Sequence, residues 1–545
     1  MKITKLIIEN FKCFKNTFTL DLDDGLNLIV GDNEAGKSTI LEAINLGLTG
    51  VFNGRYTKNQ LDQYLFNDQS IIEYLASLSN DTPLAPPRIT IEIHMKGEGT
   101  AHLEGNDNIK KIPSSGVSLL IEFDESFAAE YESLLKNEDI KSLPIEYYAI
   151  TWKSFAREAI TSRSIPLKSS FIDSTSSKHQ NGSDVYIGRI VKELLTSEEI
   201  VSVSQAHRKM KETFIGDQSI TAINEKIKLA AKVSNKEVML SVDLSSKNAW
   251  ESSLTTYLDN VPFHYIGKGE QCIIKTNLAL AHDKAQEANV VLVEEPENHL
   301  SHSKLNQLIK TIKENGEGKQ VIVTTHSSFV ANKLGLSSLI LLNDCNALRL
   351  NTLSPSTHAF FQKIPGYDTL RLLLCQKAIL VEGDSDELII QKAYMKNNGG
   401  RLPIEDGIDV ISVGLSFLRF LEIATRLNKD TCVVTDSDGD VDALMKKYTN
   451  YLGENKQDNI KICFDPVIDI GDLVISGKAF NYNTLEPKII KSNNLELVNE
   501  ILGKKYTDLD DLYRFMKANK TDCAMKFFDT EIGFNFPDFI LEAIQ

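Results

Sequence analysis

The sequence predicts an α/β protein in which a nucleotide-binding unit, interrupted by a helical insertion, is followed by a second α/β unit. Three observations support this fold class. An apolar strand near the N-terminus leads into a glycine-rich loop and an apolar helix, a serine-rich polar stretch interrupts that unit, and two later apolar strands end in carboxylates. With 545 residues, of which 42% are apolar, the chain can form about three or four domains.

The bulk composition excludes several classes of protein. A net charge of −16 argues against a protein that coats nucleic acid by charge alone, although the carboxylates of a nuclease would contribute to that total. The seven cysteines are scattered and odd in number, which disfavours a disulfide framework or a zinc site. There is no apolar run of membrane-spanning length and no signal-peptide pattern. We therefore expect a bacterial cytoplasmic protein without a membrane partner.

The phosphate-binding loop is the most specific motif in the N-terminal unit. The strand Leu26–Val30 is followed by Gly-Asp-Asn-Glu-Ala-Gly-Lys-Ser-Thr at 31–39 and then by an apolar helix, which is the order that this motif requires. Backbone N–H groups of such a loop wrap the phosphates of ATP, Lys37 reaches the β- and γ-phosphates, and the Ser38 hydroxyl can bind Mg²⁺. The candidate nucleotide-binding residues here are Asn33, Gly36, Lys37, Ser38 and Thr39.

The chain around this loop divides into recognisable segments. Residues 1–155 carry several strand patterns and form the first part of the nucleotide-binding unit. Residues 156–240 turn serine-rich and then charged, with helical patterns at Tyr186–Leu195 and Ile220–Val233, which predicts an inserted helical subdomain. For Ser169–Ser183, a partly disordered loop is the alternative.

The second part of the unit, 241–372, supplies further nucleotide-binding candidates. Gly269 and Gln271 precede a helix expected at Cys272–Ala288, and such a segment can cover the γ-phosphate bound by another subunit. A buried strand ends in Glu294, expected to hold Mg²⁺ through water, and Glu295, expected to orient the attacking water. His326 follows the next strand and is expected to contact the γ-phosphate.

Together these motifs resemble the ABC-type ATPase heads shared by structural-maintenance and RecF-like proteins. The resemblance covers residues 1 to about 370 and implies a P-loop ATPase head that binds ATP with Mg²⁺. Two features depart from the family pattern. The segment at Gly267–Gln271 lacks the usual Leu-Ser-Gly-Gly-Gln wording, and Glu294 stands where Asp is customary.

A second group of acidic motifs begins the C-terminal unit, 373–545. An apolar strand ends in Glu382, and about fifty residues later another ends in Asp436-Ser437-Asp438. Alternate residues of an extended segment face the same side, so Asp436 and Asp438 converge, and parallel strands would place Glu382 beside them. Carboxylates gathered in this way need Mg²⁺ or Mn²⁺, which suits phosphodiester chemistry. Two unrelated acidic turns after core strands are the alternative.

These acidic motifs resemble the Toprim pattern, a Rossmann-like domain. An ABC head followed by Toprim is similar to the OLD (overcoming lysogenisation defect) family of ATP-linked nucleases. The resemblance implies that Glu382 and Asp386 bind a first metal with Asp436 and Asp438. It implies further that Glu486, in Asn483-Thr484-Leu485-Glu486, serves a second metal, and that Lys520 stabilises the pentacoordinate phosphate or protonates the leaving oxygen.

The OLD resemblance also carries expectations about function and partners. It implies an ATP-regulated, metal-dependent DNA endonuclease or nickase that dimerises through the helical insertion and acts against phage. Relatives work with a retron reverse transcriptase and its msDNA, or with a UvrD-like helicase, encoded nearby. Two other interpretations stay open: a RecF-like or SMC-like ATP-dependent DNA clamp whose Toprim acids are inactive, and a Toprim enzyme of the primase or topoisomerase type.

Overall fold

The chain forms two compact units, which are described separately. Unit 1 comprises Met1–Thr325 with Asp344–Ala347, and unit 2 comprises His326–Asn343 with Leu348–Gln545. In the described part of the chain no helix is both long and apolar enough to cross a membrane. The computed structural model describes residues 1–32, 34–52, 55–57, 61–80, 82–137, 140–161, 164–173, 196–230, 257–281, 288–315, 318–343, 346–350, 353–363 and 369–545.

Unit 1 alternates strands and helices along its described length. Its strands are β1 (Lys2–Glu9), β2 (Phe18–Asp21), β3 (Leu26–Gly31), β4 (Val51–Phe52), β5 (Arg55–Tyr56), β6 (Ile89–Lys96), β7 (Glu104–Gly105), β8 (Ser114–Phe123), β9 (Tyr148–Ser154), β10 (Lys168–Asp173), β11 (Tyr257–Leu258), β12 (Val261–Pro262), β13 (Ala288–Glu294) and β14 (Gln320–Thr325). Its helices are α1 (Lys37–Thr49), α2 (Asp68–Ser77), α3 (Ala128–Asn137), α4 (Ser197–Ile215), α5 (Gln218–Ala230), α6 (Lys268–Ala281) and α7 (His302–Asn315).

An antiparallel sheet opens unit 1 and confirms the strand patterns predicted there. Its order is β2-β1-β6-β8-β7, and β9 also pairs with β8. The hairpin of β1 and β2 closes through the Phe11–Phe14 turn, where both phenylalanines are buried. Burying an aromatic or branched side chain of this size contributes about 1.5–3 kcal/mol, so the turn is anchored by its own apolar residues.

A parallel sheet holds the nucleotide-binding motifs. Four of its strands run in the order β10-β13-β14-β3, and all three pairings between them are parallel. Val290–Val293 and Ile322–Val323 are fully or almost fully buried, as expected for strands covered on both faces. Because the strands are parallel, the loop after β3 and the acids after β13 emerge at the same edge.

The predicted helical insertion is described only in part. Helices α4 and α5 lie within it, and α4 begins with a capping box in which Thr196 and Glu199 exchange hydrogen bonds. The helix predicted at Ile220–Val233 corresponds to α5, whereas Tyr186–Leu195 lies outside the described residues. The domain boundaries proposed from the sequence remain predictions.

Unit 2 continues with short helices and a second parallel sheet. Its strands and helices are α8 (Ser328–Leu334), β15 (Leu339–Asn343), β16 (Asn346–Arg349), α9 (Pro355–Lys363), α10 (Thr369–Leu374), β17 (Lys377–Val381), α11 (Asp384–Asn397), β18 (Ile408–Ser412), α12 (Phe417–Leu427), β19 (Asp430–Val434), α13 (Val441–Lys447), β20 (Ile460–Cys463), β21 (Val474–Ile475), β22 (Lys478–Ala479), α14 (Leu485–Lys491), α15 (Leu495–Leu502), α16 (Leu509–Ala518), α17 (Lys520–Asp529) and α18 (Asp538–Ala543).

The sheet of unit 2 has the order β18-β17-β19-β20, with parallel pairing throughout. Its apolar core joins β17 and β19 to helices α11, α14, α15 and α17. The buried Sγ atoms of Cys432 and Cys463 lie 3.4 Å apart on neighbouring strands within this core. The central pair β17 and β19 therefore presents its two carboxyl ends side by side, as the acidic motifs predicted.

Candidate active sites

The phosphate loop of unit 1 is shaped by one glycine and one lysine. Gly36 has φ +96°, and a Cβ there would lie 2.7 Å from the Phe14 ring, so the position requires glycine. Helix α1 begins directly after it at Lys37, whose buried Nζ donates to the carbonyls of Gly31 (2.8 Å) and Asp32 (2.9 Å). The loop thus folds around the ammonium that is expected to meet the phosphates of ATP.

Two of the other predicted loop residues, Ser38 and Thr39, differ in their exposure. Ser38 is exposed on the first turn of α1, whereas Thr39 is buried and its Oγ1 accepts from the Cys13 thiol at 3.6 Å. Asn33 lies outside the described residues. The exposed Ser38 hydroxyl is therefore the one placed to meet a ligand.

Carboxylates after β13 face this lysine. Burial lowers the pKa of Lys37, and Glu295, Asp32, Glu297 and Glu294 oppose that effect, which places their charges near its ammonium. Glu295 adopts φ +40° and accepts from the Asn298 amide (2.7 Å), so its orientation is fixed locally.

A polar contact links this acidic segment to β14. The Thr325 hydroxyl donates to Glu297 at 2.6 Å. Within unit 1, β14 thus ties the segment after β13 to the sheet edge where β3 ends, because Thr325 pairs with Val30 of β3. His326 follows Thr325 in the chain, at the end of this strand.

The glycine segment before α6 begins its helix earlier than predicted. The expected start at Cys272 is wrong, because the Gly267 carbonyl already accepts from the N–H groups of Glu270 and Gln271. Gly269 and Gln271 therefore lie on the first turn of α6. A Cβ on Gly269 would lie 2.2 Å from the His299 carbonyl oxygen, so this turn packs directly on the loop after Glu294 and Glu295.

The acid cluster of unit 2 comprises Glu382, Asp386, Asp436, Asp438 and Glu486. Glu382 follows β17, and Asp436 and Asp438 follow the adjacent β19. Asp386 lies on the first turn of α11 and accepts from the Gly383 N–H at 2.9 Å. Asp438 has φ +50° and accepts from the Asn481 amide at 2.8 Å.

Two helices from later in the chain complete this cluster. Glu486 is buried on the first turn of α14, and Lys520 is the first residue of α17. The Lys520 ammonium lies 3.0 Å from a Glu486 carboxylate oxygen. The structure therefore brings together all six residues that the sequence predicted for this site, from four separate stretches of the chain.

Comparison with known protein families agrees with this arrangement of two units. The family model of the AAA ATPase domain matches residues 1–331, which is more than half of the chain. The model described as "Overcoming lysogenization defect protein-like, TOPRIM domain" matches residues 373–438, the stretch from β17 through Asp438. The chain belongs to the OLD family. Its two matched domains are an ATPase domain and a Toprim domain.

More distant relatives match parts of this OLD-family chain. The RecF DNA replication and repair protein of Shewanella loihica is 32% identical over 136 residues, which cover 24% of this chain and 35% of RecF. The chromosome partition protein Smc of Halobacteriovorax marinus is 48% identical over 44 residues, 8% of this chain and 4% of Smc. The alignments therefore span about a third or less of these relatives. A solved structure of RecF with ATP covers 64% of this chain and 99% of its own, at 12% identity and a TM-score of 0.34.

The electrostatics of the acid cluster are strongly unfavourable without a cation. Burial, together with Asp386, Glu486, Glu382 and Asp438, raises the pKa of Asp436 to about 8. Burial also raises the pKa of Asp386 to about 6, against the opposing hydrogen bond from Gly383. A bound divalent cation relieves this cost of burying carboxylates close to one another.

The donor set fits the divalent metal that the OLD-family fold implies. All five acids offer hard oxygen ligands, which Mg²⁺ and Mn²⁺ prefer. Among the described residues no three His, Cys, Asp or Glu side chains already stand in a metal-holding arrangement. Several acids instead accept other hydrogen bonds, such as those from Gly383, Asn481 and Lys520, and these bonds would have to yield to a cation.

Glu387 follows Asp386 in the chain, and the sequence alone would allow Glu387 to take the place of Asp386 as a metal ligand. The structure separates the two residues. The guanidinium of Arg371 lies 3.5 Å from Glu387 and 2.6 Å from Asp409, and burial raises the pKa of Glu387 against the effect of Arg371. Asp386, in contrast, acts on Asp436. Asp386 therefore belongs to the cluster, and Glu387 belongs to a separate ion-pair network.

Sequence reasoning missed Asn481, which fixes Asp438. Asn481 precedes the Asn483-Thr484-Leu485-Glu486 stretch by two residues, and its side-chain Oδ1 accepts from the Asn483 N–H at 2.8 Å. The signal in the sequence was a polar residue close to Glu486, which was itself predicted as a metal ligand.

Proposed function

We propose that this protein is a divalent-metal-dependent DNA endonuclease or nickase whose cutting is regulated by ATP. One observation carries the proposal: five carboxylates and Lys520 converge at the carboxyl ends of β17 and β19, where burial and the other four acids raise the pKa of Asp436 to about 8. Clustered carboxylates are costly to keep unless they bind cations, so a functional role explains them better than a structural one.

In this proposal the acids and the lysine have separate roles. Glu382, Asp386, Asp436 and Asp438 would hold a first Mg²⁺ or Mn²⁺, and Glu486 a second. Such metals polarise the phosphoryl oxygens and activate water when bound. Lys520 lies beside Glu486, and its pKa is raised by Glu486, Asp436 and Asp386 in spite of burial. It therefore stays protonated and can stabilise the negative charge that develops on the phosphate.

The nucleotide site of unit 1 would control this chemistry. Lys37, Ser38 and Thr39, with Asn33 and Gly36, would bind ATP and its Mg²⁺. Glu294 and Glu295 would act on the metal and the attacking water, whereas Gly269, Gln271 and His326 would meet the γ-phosphate. The proximity of Glu294 and Glu295 to the Lys37 ammonium supports this division.

Plasmid cleavage tests the nuclease. We expect wild-type protein to nick or cut supercoiled DNA with Mg²⁺ or Mn²⁺, and EDTA to stop it. Glu382→Ala should lower the rate by about 10²–10³-fold or more, because a group that acts on the reacting phosphate is removed. Glu454→Ala, which changes an exposed carboxylate outside the cluster, is the matched control and should cut normally.

A titration with ATP tests the regulation. Lys37→Ala removes an ammonium that should make charged hydrogen bonds to phosphate, each worth about 1.5–3 kcal/mol. We expect ATP affinity to fall by about 10–100-fold and the ATP dependence of cleavage to disappear. If the variant and the wild type respond alike to ATP at every concentration, ATP does not control cutting through this loop.

The match to RecF, a DNA replication and repair protein, favours one alternative. The chain could be an ATP-dependent DNA clamp with an inactive Toprim domain. Cleavage that is unchanged by Glu382→Ala would favour the clamp, because the observed cutting would then come from a contaminating nuclease.

The partners implied by the family remain proposals. They are DNA, a second copy of the chain held through the helical insertion, and a retron reverse transcriptase with its msDNA or a UvrD-like helicase. A role in defence against phage belongs with them. Survival of phage-infected cells that carry the wild type or Asp436→Ala would test that role.

A further inference from the structure

A buried asparagine of unit 2 lies between the segments that carry two of the predicted metal ligands, Asp438 and Glu486. Asn483 is 6% exposed, and its side chain bonds to both backbone groups of Asp469, 14 positions earlier in the chain. Its Oδ1 accepts from the Asp469 N–H at 2.7 Å, and its Nδ2 donates to the Asp469 carbonyl at 3.0 Å. Because both polar atoms of this buried amide are bonded, its orientation is fixed.

Asn483 also contacts the segment that carries Asp438. Its backbone N–H donates to Oδ1 of Asn481 at 2.8 Å, and the Asn481 amide in turn donates to Oδ1 of Asp438 at 2.8 Å. A Cβ on Gly439, the residue after Asp438, would lie 3.1 Å from Nδ2 of Asn483, so the Asn483 side chain packs against the backbone there. This packing would remain if a cation displaced the bond from Asn481.

Helix α14 holds the loop around Asp469 as well. Lys488 is buried and lies two residues after Glu486 on this helix. Its ammonium donates to Oδ2 of Asp469 at 2.7 Å and to the Val467 carbonyl at 2.7 Å. Asn483 and Lys488 therefore fix the loop at two points, one just before α14 and the other within the helix that carries Glu486.

The two acids joined by these contacts are the proposed ligands of different metals. A carboxylate can rotate toward a cation, but the distance between two bound cations depends on the segments that carry their ligands. We propose that Asn483 is a positioning residue that fixes the Asp438 segment against the start of α14, and so sets the separation at which two divalent cations bind. Two-metal phosphodiester sites require a separation of about 3.5–4 Å. The proposal rests on the proposed nuclease function and deepens it, because it concerns the geometry of the same metal site.

Mn²⁺ binding without DNA or ATP tests this role apart from cleavage. Mn²⁺ is titrated calorimetrically into the full-length protein, and Asp436→Ala identifies the heat that belongs to the acid cluster. Groups that orient metal ligands typically contribute about 10–100-fold to metal affinity, so Asn483→Ala should weaken Mn²⁺ binding at the cluster by about that factor. Electron paramagnetic resonance should show magnetically coupled Mn²⁺ pairs in the wild type and mainly uncoupled ions in the variant.

Asn499→Ala is the matched control. Asn499 is 8% exposed, and it bonds to both backbone groups of Tyr506, with its Oδ1 accepting at 2.9 Å and its Nδ2 donating at 2.7 Å. These bonds join α15 to the loop after it rather than to a segment of the acid cluster. Both alanine variants should melt several degrees below the wild type, but Asn499→Ala should keep the wild-type Mn²⁺ affinity and coupling. Asn483→Ser repeats the test if Asn483→Ala does not fold.

Wild-type Mn²⁺ affinity and coupling in Asn483→Ala would overturn the proposal. An equal loss in Asn499→Ala, or a wild-type cluster that binds a single Mn²⁺, would do the same. If the wild type binds coupled Mn²⁺ pairs but never cuts DNA, and Asn483→Ala loses the pairs, the positioning role stands and the nuclease proposal falls. If the wild type cuts DNA and Asn483→Ala keeps the pairs, the positioning role is wrong and the nuclease proposal is unaffected.

Discussion

The two candidate sites differ in the charged groups that they present to a phosphate. In unit 1 a buried lysine donates to two loop carbonyls, and the acids near Lys37 oppose the effect of burial on its pKa. In unit 2 burial, together with the neighbouring acids, raises the pKa of Asp436 to about 8. Each site contains a lysine, but at the second site five acids outnumber Lys520, so the negative charge there is not balanced within the cluster.

This difference shows what each site requires from outside. A loop with a built-in ammonium and backbone N–H groups is ready for an anion such as ATP. A carboxylate cluster is ready for a cation, and it can bind a phosphodiester only after its charge is neutralised. Variants that remove one acid should therefore have different consequences, according to whether that acid belongs to the cluster.

The largest expected effect compares two adjacent acids. Asp386→Asn removes a charge that acts on Asp436 and should lower plasmid cleavage by about 10²–10³-fold. Glu387→Gln should leave cleavage within about twofold of the wild type, because its partner Arg371 also pairs with Asp409. Initial rates of nicking at saturating Mg²⁺ measure both variants.

The opposite ranking would place Glu387 in the cluster and contradict the structure. ATP hydrolysis and the melting temperature should be similar in the two variants, which serves as the control that neither has lost its fold. Equal and severe losses in both would point to damage of α11 as a whole rather than to loss of a ligand.

The contrast between these two acids also shows what the sequence could predict. Glu382, Asp436 and Lys37 follow strands with clear apolar patterns. The position of each residue at the end of a strand could therefore be predicted from the sequence. Asp386 and Glu387 are neighbours on one helix turn, and only the contacts of Arg371 separate them. Residues that reach a site from distant helices carry no local signal.

Two lysines illustrate this limit. Lys520 was predicted from family resemblance, because by itself it reads as a surface lysine, and its ion pair with Glu486 appears only in the folded chain. Nothing in the sequence predicts that Lys447, the last residue of α13, rests against the rings of Phe417 and Tyr448, which are 31 positions apart. The start of α6 was misplaced because its first turn contains a glycine.

An intermediate effect is expected on the stability of unit 1. Gly269→Ala would place a Cβ 2.2 Å from the His299 carbonyl oxygen, which is a backbone atom that cannot easily move. Overpacking of this kind costs about 1–3 kcal/mol. At ~2–4 °C per kcal/mol, the melting temperature should fall by several degrees. Gly267→Ala is the control, because its Cβ would meet no atom within 4 Å.

Equal melting temperatures for the two alanine variants would show that α6 does not pack on the loop after Glu294 and Glu295. A loss of ATP hydrolysis in Gly269→Ala, with Gly267→Ala unaffected, would further link that packing to the nucleotide site.

The smallest expected effect concerns the pH dependence of metal-free protein. The pKa of Asp436 is about 8 in the fold and near 4 in an unfolded chain, so the folded state holds a proton that the unfolded state gives up. Stability in EDTA should therefore fall as the pH rises from about 4 to about 8. Mg²⁺ competes with these protons, so the rise in melting temperature that it produces should be larger at pH 8 than at pH 6.

Asp436→Asn separates this electrostatic cost from other effects of pH. In EDTA at pH 8 the variant should melt higher than the wild type, by about 2–4 °C for each kcal/mol of repulsion removed, and it should respond less to Mg²⁺. The two proteins should converge below about pH 4, where the wild-type carboxyl is protonated in both states. A wild type that is the more stable of the two in EDTA at pH 8 would mean that the acids of unit 2 do not oppose one another. The cluster would then need no cation, and its contrast with the lysine-centred site of unit 1 would disappear.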